Sequence, residues 1–508
     1  MRSKDTSKDL LSISPVTNKT YKIPKKIDDK ENIDQFLSKN KDKKIIVVQG
    51  LGYVGSVMAV VCANAIDGEY AVLGIDLPNK NSFWKTQSLN DGDFPLKAED
   101  QKIEQFYRNA LHKGNFYATC DDYVYSLADI VIVDIGLDVQ IRKEIDNNIL
   151  KYDVSLSNFK NAIKSIATNC KEDILILVET TVPPGTTEKI VKRIIKSGLK
   201  KRGLSDQNFK LGHSSERVMP GENYIDSIQN FYRVYSGIDK KSADATESFL
   251  KTIISTDNYP LTRLSSTNAT EISKVLENSY RAVNIAFIEE WSRFAEESGV
   301  NLFEIINAIK LRPTHSNMMF PGIGVGGYCL TKDPLLANWS LKEHFESSKN
   351  LDFSERSVFI NNMMPKSAFN FLVSRYQMDV ANKDVLLLGV TYRGDVSDTR
   401  SSPVNLFYDE CISIGCNVYA HDPYVDFWEE KQLQVHGYLG EVLTQDFDVV
   451  VISAGHSKFK SRKFIDNLVL AKPKLIFDSI GLLKEQDIKR LKKFSKVCVI
   501  GRGDIWTL

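Results

Sequence analysis

Cys329 stands close to Lys332 and Asp333, in a stretch whose preceding residues are rich in glycine (Pro321-Gly322-Ile323-Gly324-Val325-Gly326-Gly327-Tyr328). A thiol near a cation shifts toward the thiolate, which is the nucleophile, and glycines let the backbone lie flat against a ligand and hold the sulfur at a crowded, exposed point. The bland reading of a lone cysteine is a small buried hydrophobe, and Cys62, Cys120, Cys170, Cys411, Cys416 and Cys498 are read that way.

A second chemical signature is Gly50-Leu51-Gly52-Tyr53-Val54-Gly55, with G-x-G-x-x-G spacing. Spacing alone is weak, but here a β-branched run (Ile45-Ile46-Val47-Val48) precedes it, a helix is predicted over 56–65, and Asp76 ends the next strand-like run. Gly50 permits the tight turn, Gly52 lets the backbone approach a pyrophosphate, and Gly55 lets helix and strand pack closely. Tyr53 and Val54 complete the turn. Asp76 accepts from the adenosine ribose and repels a 2′-phosphate, so the expected cofactor is NAD rather than NADP. A third candidate, Thr180-Thr181-Val182-Pro183-Pro184-Gly185-Thr186-Thr187, follows the apolar run 174–179. Its hydroxyls suit a water or a ligand oxygen, and they suit helix capping equally well.

These residues need rigid elements to aim them. Buried-strand runs occur at 45–48, 70–76, 128–134 and 174–179, separated by helix-length segments, and this alternation predicts a parallel, doubly wound sheet. From about residue 268 the apolar period becomes helical, through Ile272, Val275, Leu276, Tyr280, Val283, Phe287, Trp291 and Phe294, and Gly299 closes the run. Packing into the chain's own core is the default expectation for that stripe; bridging domains or meeting a partner subunit is the alternative. A shorter helical segment covers 301–309. Strands return at 384–389, 417–422, 446–453, 474–478 and 497–500 as a degenerate repeat of the first third, again with a glycine ending one strand and an acid, Asp422, ending the next. The expected fold class is α/β: two Rossmann-like doubly wound domains joined by a central helical region. The expected boundaries are a flexible extension over 1–42, a dinucleotide-binding domain over 43–262, the helical region over 263–380 and a second Rossmann-like domain over 381–508.

Composition narrows the functions. The 508 residues carry a formal net charge of +1, which offers no broad basic surface for nucleic acid or anionic lipid. Seven scattered cysteines without a C-x-x-C pair argue against a zinc site and against a disulfide framework. No apolar run is long enough to span a bilayer, and a cytoplasmic location is expected.

Taken together, GLGYVG at Gly50, TTVPPGTT at Thr180, SSERVMPG at Ser214, EISKVLENSYRAVNIAFIEE at Glu271, GVGGYCLTKDP at Gly324 and GVTYRGDVSDTRSSP at Gly389 resemble the UDP-glucose/GDP-mannose dehydrogenase family of nucleotide-sugar 6-dehydrogenases. The resemblance runs from about Lys43 to the C-terminus. It implies an NAD-binding domain, a central helical dimerisation region and a domain that binds the UDP-sugar, in a homodimer. It also implies a four-electron oxidation of the sugar C6 alcohol to a carboxylate with two NAD+. Cys329 captures the intermediate aldehyde as a thiohemiacetal, which restores a carbon able to give up hydride, and water cleaves the resulting thioester.

By the same resemblance Lys274 and Asn278, at i and i+4 on one helix face, stabilise the oxyanion. Asp333 and Thr181 handle proton transfer and water, Glu216 is an acidic active-site position, and Thr181 and Lys332 also meet the cofactor. Arg312, Gly326 and Arg393 are expected to contact substrate, with Arg400 a further candidate beside Arg393. For the arginines the competing reading is a structural salt bridge. Pro220 in SERVMPG resembles the branch that oxidises N-acetylhexosamines, whereas Tyr328-Cys329-Leu330 with Lys332-Asp333 resembles the UDP-glucose branch. The expected substrate is a UDP-N-acetylhexosamine, with UDP-glucose the alternative and GDP-mannose third. A catalytically silent binder of the same ligands is the alternative from another class, but it has no chemical reason to keep Cys329, Lys274, Asn278 and Asp333.

Overall fold

The computed structural model describes residues 10–96, 100–146, 149–216, 221, 223–375 and 381–507. In the first of these stretches, β1 (Leu11–Ile13) pairs antiparallel with β2 (Thr20–Lys22), and α1 (Lys30–Ser38) follows. Ile33 and Phe36 of α1 enter a core shared with the first sheet, and the Asp29 carboxylate accepts from Tyr117 Oη at 3.0 Å and Thr119 Oγ1 at 2.6 Å. The flexible extension expected over 1–42 is therefore an ordered, docked element from residue 10 onward; residues 1–9 lie outside the described residues. What docks it is a few apolar anchors and polar bonds to distant residues, which leave no periodic mark in a segment rich in Lys, Asp and Ser.

The strands of the first sheet are β3 (Lys44–Gln49), β4 (Tyr70–Ile75), β5 (Phe116–Thr119), β6 (Ile130–Val133), β9 (Leu175–Val178), β10 (Lys210–His213), β11 (Val234–Gly237) and β12 (Thr262–Arg263). The numbers β7 (Val139–Asp146) and β8 (Ile149–Val154) belong to a separate two-stranded pair that follows β6. Sheet order is β12-β11-β10-β9-β6-β3-β4-β5, parallel except where β10 meets β11. Residues within one strand alternate between two cores: Ile46 and Val48 pack on one face and Val47 on the other, as do Ile130 and Ile132 against Val131 and Val133. Burial of both faces is why these strands read as unbroken apolar runs.

The second sheet is all parallel, in the order β14-β13-β15-β16-β17, from β13 (Asp384–Leu388), β14 (Asn417–His421), β15 (Val449–Ile452), β16 (Leu475–Asp478) and β17 (Lys496–Val499). The repeat extends to single hydrogen bonds. The Gly50 N–H donates to Ile75 O at 2.8 Å and the Leu51 N–H to Asp76 Oδ2 at 3.1 Å. In the second copy the Gly389 N–H donates to His421 O at 2.8 Å and the Val390 N–H to Asp422 Oδ2 at 2.9 Å. Gly50 and Gly389 both hold positive φ, at 96° and 97°, which an L side chain resists.

Three helices bear on the site: α2 (Tyr53–Ala63), α3 (Phe83–Asn90) and α4 (Thr267–Ser298). α2 begins three residues before the predicted start, because its first turn uses Tyr53-Val54-Gly55 of the glycine string itself. α4 spans 32 residues and ends at Ser298, with Gly299 following it at φ 73°. Its buried face carries small and polar residues, among them Ala282, Ala286, Asn278 and Glu289, whereas Ile272, Leu276, Tyr280, Phe287, Trp291 and Phe294 are exposed. Of the predicted stripe Val275 is buried. The default expectation that this stripe packs into the chain's own core is thus corrected. Among the described residues no helix is long and apolar enough to cross a membrane.

The chain divides into two compact units: Met1–Gln140, Asp153–Val275 and Trp339–Lys349 form the first, and Ile141–Tyr152, Leu276–Asn338 and Asn350–Leu508 the second.

Candidate active site

In the first unit the glycine string answers two separate demands. A Cβ on Gly50 would lie 2.3 Å from Asp134 O, and one on Gly55 would lie 1.8 Å from Gly50 O, so both glycines are required by close backbone approach. A Cβ on Gly52 would meet nothing within 4 Å, so packing within the chain does not demand that glycine. Gly52 is the N-cap of α2, no side chain caps the helix there, and its first turn holds no acid. An uncapped helix N-terminus with open space before it fits a pyrophosphate, and the residues present fit NAD. Asp76 stands beyond β4 as expected, with its carboxylate already engaged: Oδ2 accepts from the Leu51 N–H and from Lys85 Nζ at 3.0 Å, and Oδ1 from the Leu77 N–H at 2.7 Å.

Thr181 lies at the carboxyl end of β9, half-buried. The neighbouring Thr180 hydroxyl is used structurally, donating to Val133 O at 3.0 Å and accepting from the Ile135 N–H at 2.8 Å. The rest of this loop is held by Glu271 of α4, whose carboxylate accepts from the Gly185 N–H at 2.6 Å and the Thr187 N–H at 2.8 Å. Burial pushes the Glu271 carboxyl up to about 7, against the pull of those same bonds. One turn later Lys274 donates to Glu216 O at 2.7 Å, with Glu216 Oε1 at 4.0 Å. Two candidates from distant parts of the sequence are therefore brought together. Pro220, in the same motif, lies outside the described residues. Close to β9 and β11, Arg233 and Glu179 form a buried pair at 2.8 Å, and burial raises the Glu179 carboxyl to about 7 although Arg233 opposes it.

The second unit holds Asn278, Arg312, Gly326, Cys329, Lys332, Asp333 and Arg393. Cys329 is the exposed one of the seven free thiols; Cys120 is partly exposed and the other five are buried. The Cys329 carbonyl accepts from the backbone N–H groups of Lys332, at 3.2 Å, and Asp333, at 3.0 Å, closing a turn that leads into the helix Asp333–Glu343. The Asp333 side chain is fully buried; its Oδ2 accepts from Asn278 Nδ2 at 2.6 Å and its Oδ1 from Lys332 Nζ at 2.8 Å. Lys332 Nζ also lies 4.4 Å from the Tyr328 ring centroid, within cation–π range. One carboxylate thus orders the amide and the ammonium next to the cysteine turn.

The glycines before Cys329 answer first to the chain itself. A Cβ on Gly326 would lie 2.4 Å from Tyr392 Cβ, and one on Gly324 would lie 2.6 Å from Pro403 Cβ, so this loop packs on the segment that carries Arg393. Arg312 and Arg393 are exposed, with Arg393 O accepting from Thr391 Oγ1 at 2.7 Å. Arg400 forks onto Asp398, Nε to Oδ1 at 2.9 Å and Nη2 to Oδ2 at 2.7 Å, which is the structural salt-bridge reading. Among the described residues no group of three or more His, Cys, Asp or Glu side chains is placed to hold a metal ion.

Sequence spacing missed Lys85 and Glu271. Lys85 sits on a helix after Asp76, where the dinucleotide fingerprint prescribes nothing. Glu271 was within reach, since it precedes Lys274 by three on the same helix.

The NAD binding domain of the UDP-glucose/GDP-mannose dehydrogenase family matches residues 43–254, its central domain 268–362 and its UDP binding domain 386–485. The chain belongs to this family. It is an NAD-dependent nucleotide-sugar dehydrogenase. A UDP-N-acetyl-D-mannosamine dehydrogenase from Methanocaldococcus jannaschii is 30% identical over 474 residues, covering 92% of this chain and 99% of that one. Another, from Methanococcus vannielii, is 29% identical and covers 92% of this chain and 98% of its own length. The solved structure of a UDP-D-ManNAc dehydrogenase from Pyrococcus horikoshii superposes with a TM-score of 0.74 at 28% identity, covering 91% of this chain and all of that one.

Proposed function

We propose that this chain oxidises C6 of UDP-N-acetyl-D-mannosamine to the carboxylate in two successive steps through Cys329. The observation that carries the chemistry is the exposed Cys329 on a turn that leads to the buried Asp333, whose carboxylate holds both Asn278 and Lys332. The substrate assignment draws on the relatives, which are UDP-N-acetyl-D-mannosamine dehydrogenases over nearly their whole length. UDP-glucose is the alternative.

NAD+, when bound at the glycine turn, accepts one hydride in each oxidation. In the first, the C6 hydroxyl loses its proton and C6 its hydride, giving an aldehyde. The Cys329 sulfur then adds to the aldehyde carbon, and a donor is needed for the oxygen that gains charge. Lys274 and Asn278 are assigned that role, and both already hold oriented donors, on Glu216 O and on Asp333. Loss of the second hydride leaves a thioester at Cys329, and water cleaves it to the carboxylate and the free thiol. Asp333 and Thr181 are assigned to water and proton handling, Glu216 to the acidic position beside Lys274, Lys332 to the cofactor, and Gly326, Arg312 and Arg393 to the nucleotide sugar.

The protein acts as a homodimer through α4 in this proposal. Six large apolar side chains of that helix are 45% to 63% exposed, and Phe287, Trp291 and Phe294 meet in sequence, tilted and then edge to face, with ring centroids 6.1 and 5.6 Å apart. A cytoplasmic location is proposed with it, in keeping with seven free cysteines. Incubation with NAD+ and a panel of UDP-sugars, read as NADH released per sugar and as product acid, tests the reaction and the substrate together.

A further inference from the structure

The second Rossmann-like domain repeats the acid that ends a strand and puts it to a different use. Asp422 follows β14 as Asp76 follows β4, but its side chain is fully buried. Its Oδ2 accepts from the Val390 N–H at 2.9 Å and from His456 Nε2 at 3.0 Å, and its Oδ1 accepts from the Tyr424 N–H at 2.9 Å. Burial closes this carboxylate to a ligand, and what it orients instead is His456. That imidazole, on the loop after β15, is fully buried too, and its Nδ1 accepts from the Asp395 N–H at 3.0 Å. A backbone N–H can only donate, so the ring proton sits on Nε2, where it faces the carboxylate.

Asp395 belongs to the turn 391–395, and the exposed Arg393 stands at the middle of it. The turn lies flat on the loop that carries His456: a Cβ on Gly394 would lie 2.3 Å from Gly455 O. Asp395 holds φ 57°, a left-handed conformation that a non-glycine residue keeps only where its surroundings fix it. Its Oδ1 accepts from the Ser457 N–H at 2.8 Å, from Ser457 Oγ at 3.0 Å and from Tyr424 Oη at 3.2 Å. On the other side of Arg393, Thr391 Oγ1 donates to Arg393 O at 2.7 Å and lies 3.3 Å from His456 Nε2. One imidazole therefore meets the turn both before and after the arginine. A guanidinium carried on a backbone fixed in this way loses less freedom when it grips a phosphate than one on a loose turn. All of these residues lie within the UDP binding domain. We propose that His456 is a positioning residue for the nucleotide sugar, acting through Arg393 and so resting on the assignment of that arginine to substrate.

Titration of the full-length protein with UDP by calorimetry, and with NADH by nucleotide fluorescence, gives a Kd for each. His456→Gln keeps a donor for Asp422 and removes the acceptor for the Asp395 N–H; it is expected to weaken UDP by about tenfold while the NADH Kd stays within about twofold of wild type. His456→Asn places an oxygen where Nδ1 stands and is expected to hold the UDP Kd within about threefold of wild type. Arg393→Met is expected to weaken UDP by at least about tenfold, and adding His456→Gln to it should cost less than a further factor of about two, because the histidine acts through the arginine. A general structural defect would instead multiply the two losses. Losses that multiply, a His456→Gln loss below about threefold, a matching loss of NADH affinity, or an Asn variant as weak as the Gln variant each overturn the role of His456. A UDP Kd unchanged by Arg393→Met overturns the assignment of that arginine and the role of His456 with it.

Discussion

Cys329 differs from the other cysteines in its surroundings and not in its residue type, and those surroundings were partly legible. The neighbouring Lys332 and Asp333 were plain from spacing; that Asp333 is buried and bonded to Asn278 of a distant helix was not, because contact between separated segments is set by packing. The glycines before Cys329 looked like room for a ligand, and at Gly326 the demand comes from Tyr392. A buried imidazole supplies the pH dependence at this scale. His213 is fully buried, its Nδ1 bonds Thr270 Oγ1 at 2.8 Å, and burial with the Lys274 charge lowers its pKa from 6.5 to about 3. A folded-state value below the unfolded one means that the unfolded chain binds the proton first. Its contribution is complete above pH 6.5 and falls as the pH drops below that value. Denaturant unfolding should show a loss from this group of about 2 kcal/mol between neutral pH and about pH 5, and His213→Asn should flatten that part of the profile.

At the scale of elements, strands buried on both faces announce themselves: the second sheet was readable strand by strand, and in the first sheet β3, β4, β6 and β9 were read, whereas the short strands β5, β10, β11 and β12 were not. The β1–β2 hairpin was not read either, since its strands are only three residues long, β1 exposes Leu11 and Ile13 while burying Ser12, and its docking comes from bonds such as that of Ser12 to Lys80 and Trp84. The same holds for β7–β8, whose charged sequence reads as loop. If the hairpin braces the adenosine end of the cofactor site, removing the Ser12 hydroxyl should be felt there. Ser12→Ala leaves the Trp84 N–H without its acceptor and should cost about 1–3 kcal/mol of stability. The same variant should weaken NADH binding several-fold, as read by fluorescence titration, whereas an effect on stability alone would separate the hairpin from the cofactor site.

At the scale of the whole molecule, a near-neutral chain that binds two pyrophosphate-containing ligands must do so with local devices: the uncapped α2 N-terminus and a few placed cations. The long helix α4 is the other feature at this scale. Its apolar period was evident in the sequence, but its destination was not, because a helix-period stripe looks the same whether it faces a core or a partner. With Leu276 at 63% and Phe294 at 62% exposure, Leu276→Asp with Phe294→Asp should halve the mass measured by light scattering without lowering the far-ultraviolet helix signal. An unchanged mass would assign the stripe to another use.

The central claim is a four-electron oxidation through Cys329. Its most direct measurement is the number of NADH formed per UDP-N-acetyl-D-mannosamine consumed, with product acid identified, in the wild type and in Cys329→Ser. Two NADH per sugar and a uronate product are expected in the wild type, with no uronate from the serine variant. One NADH per sugar, or uronate formed by Cys329→Ser at the wild-type rate, would contradict the account.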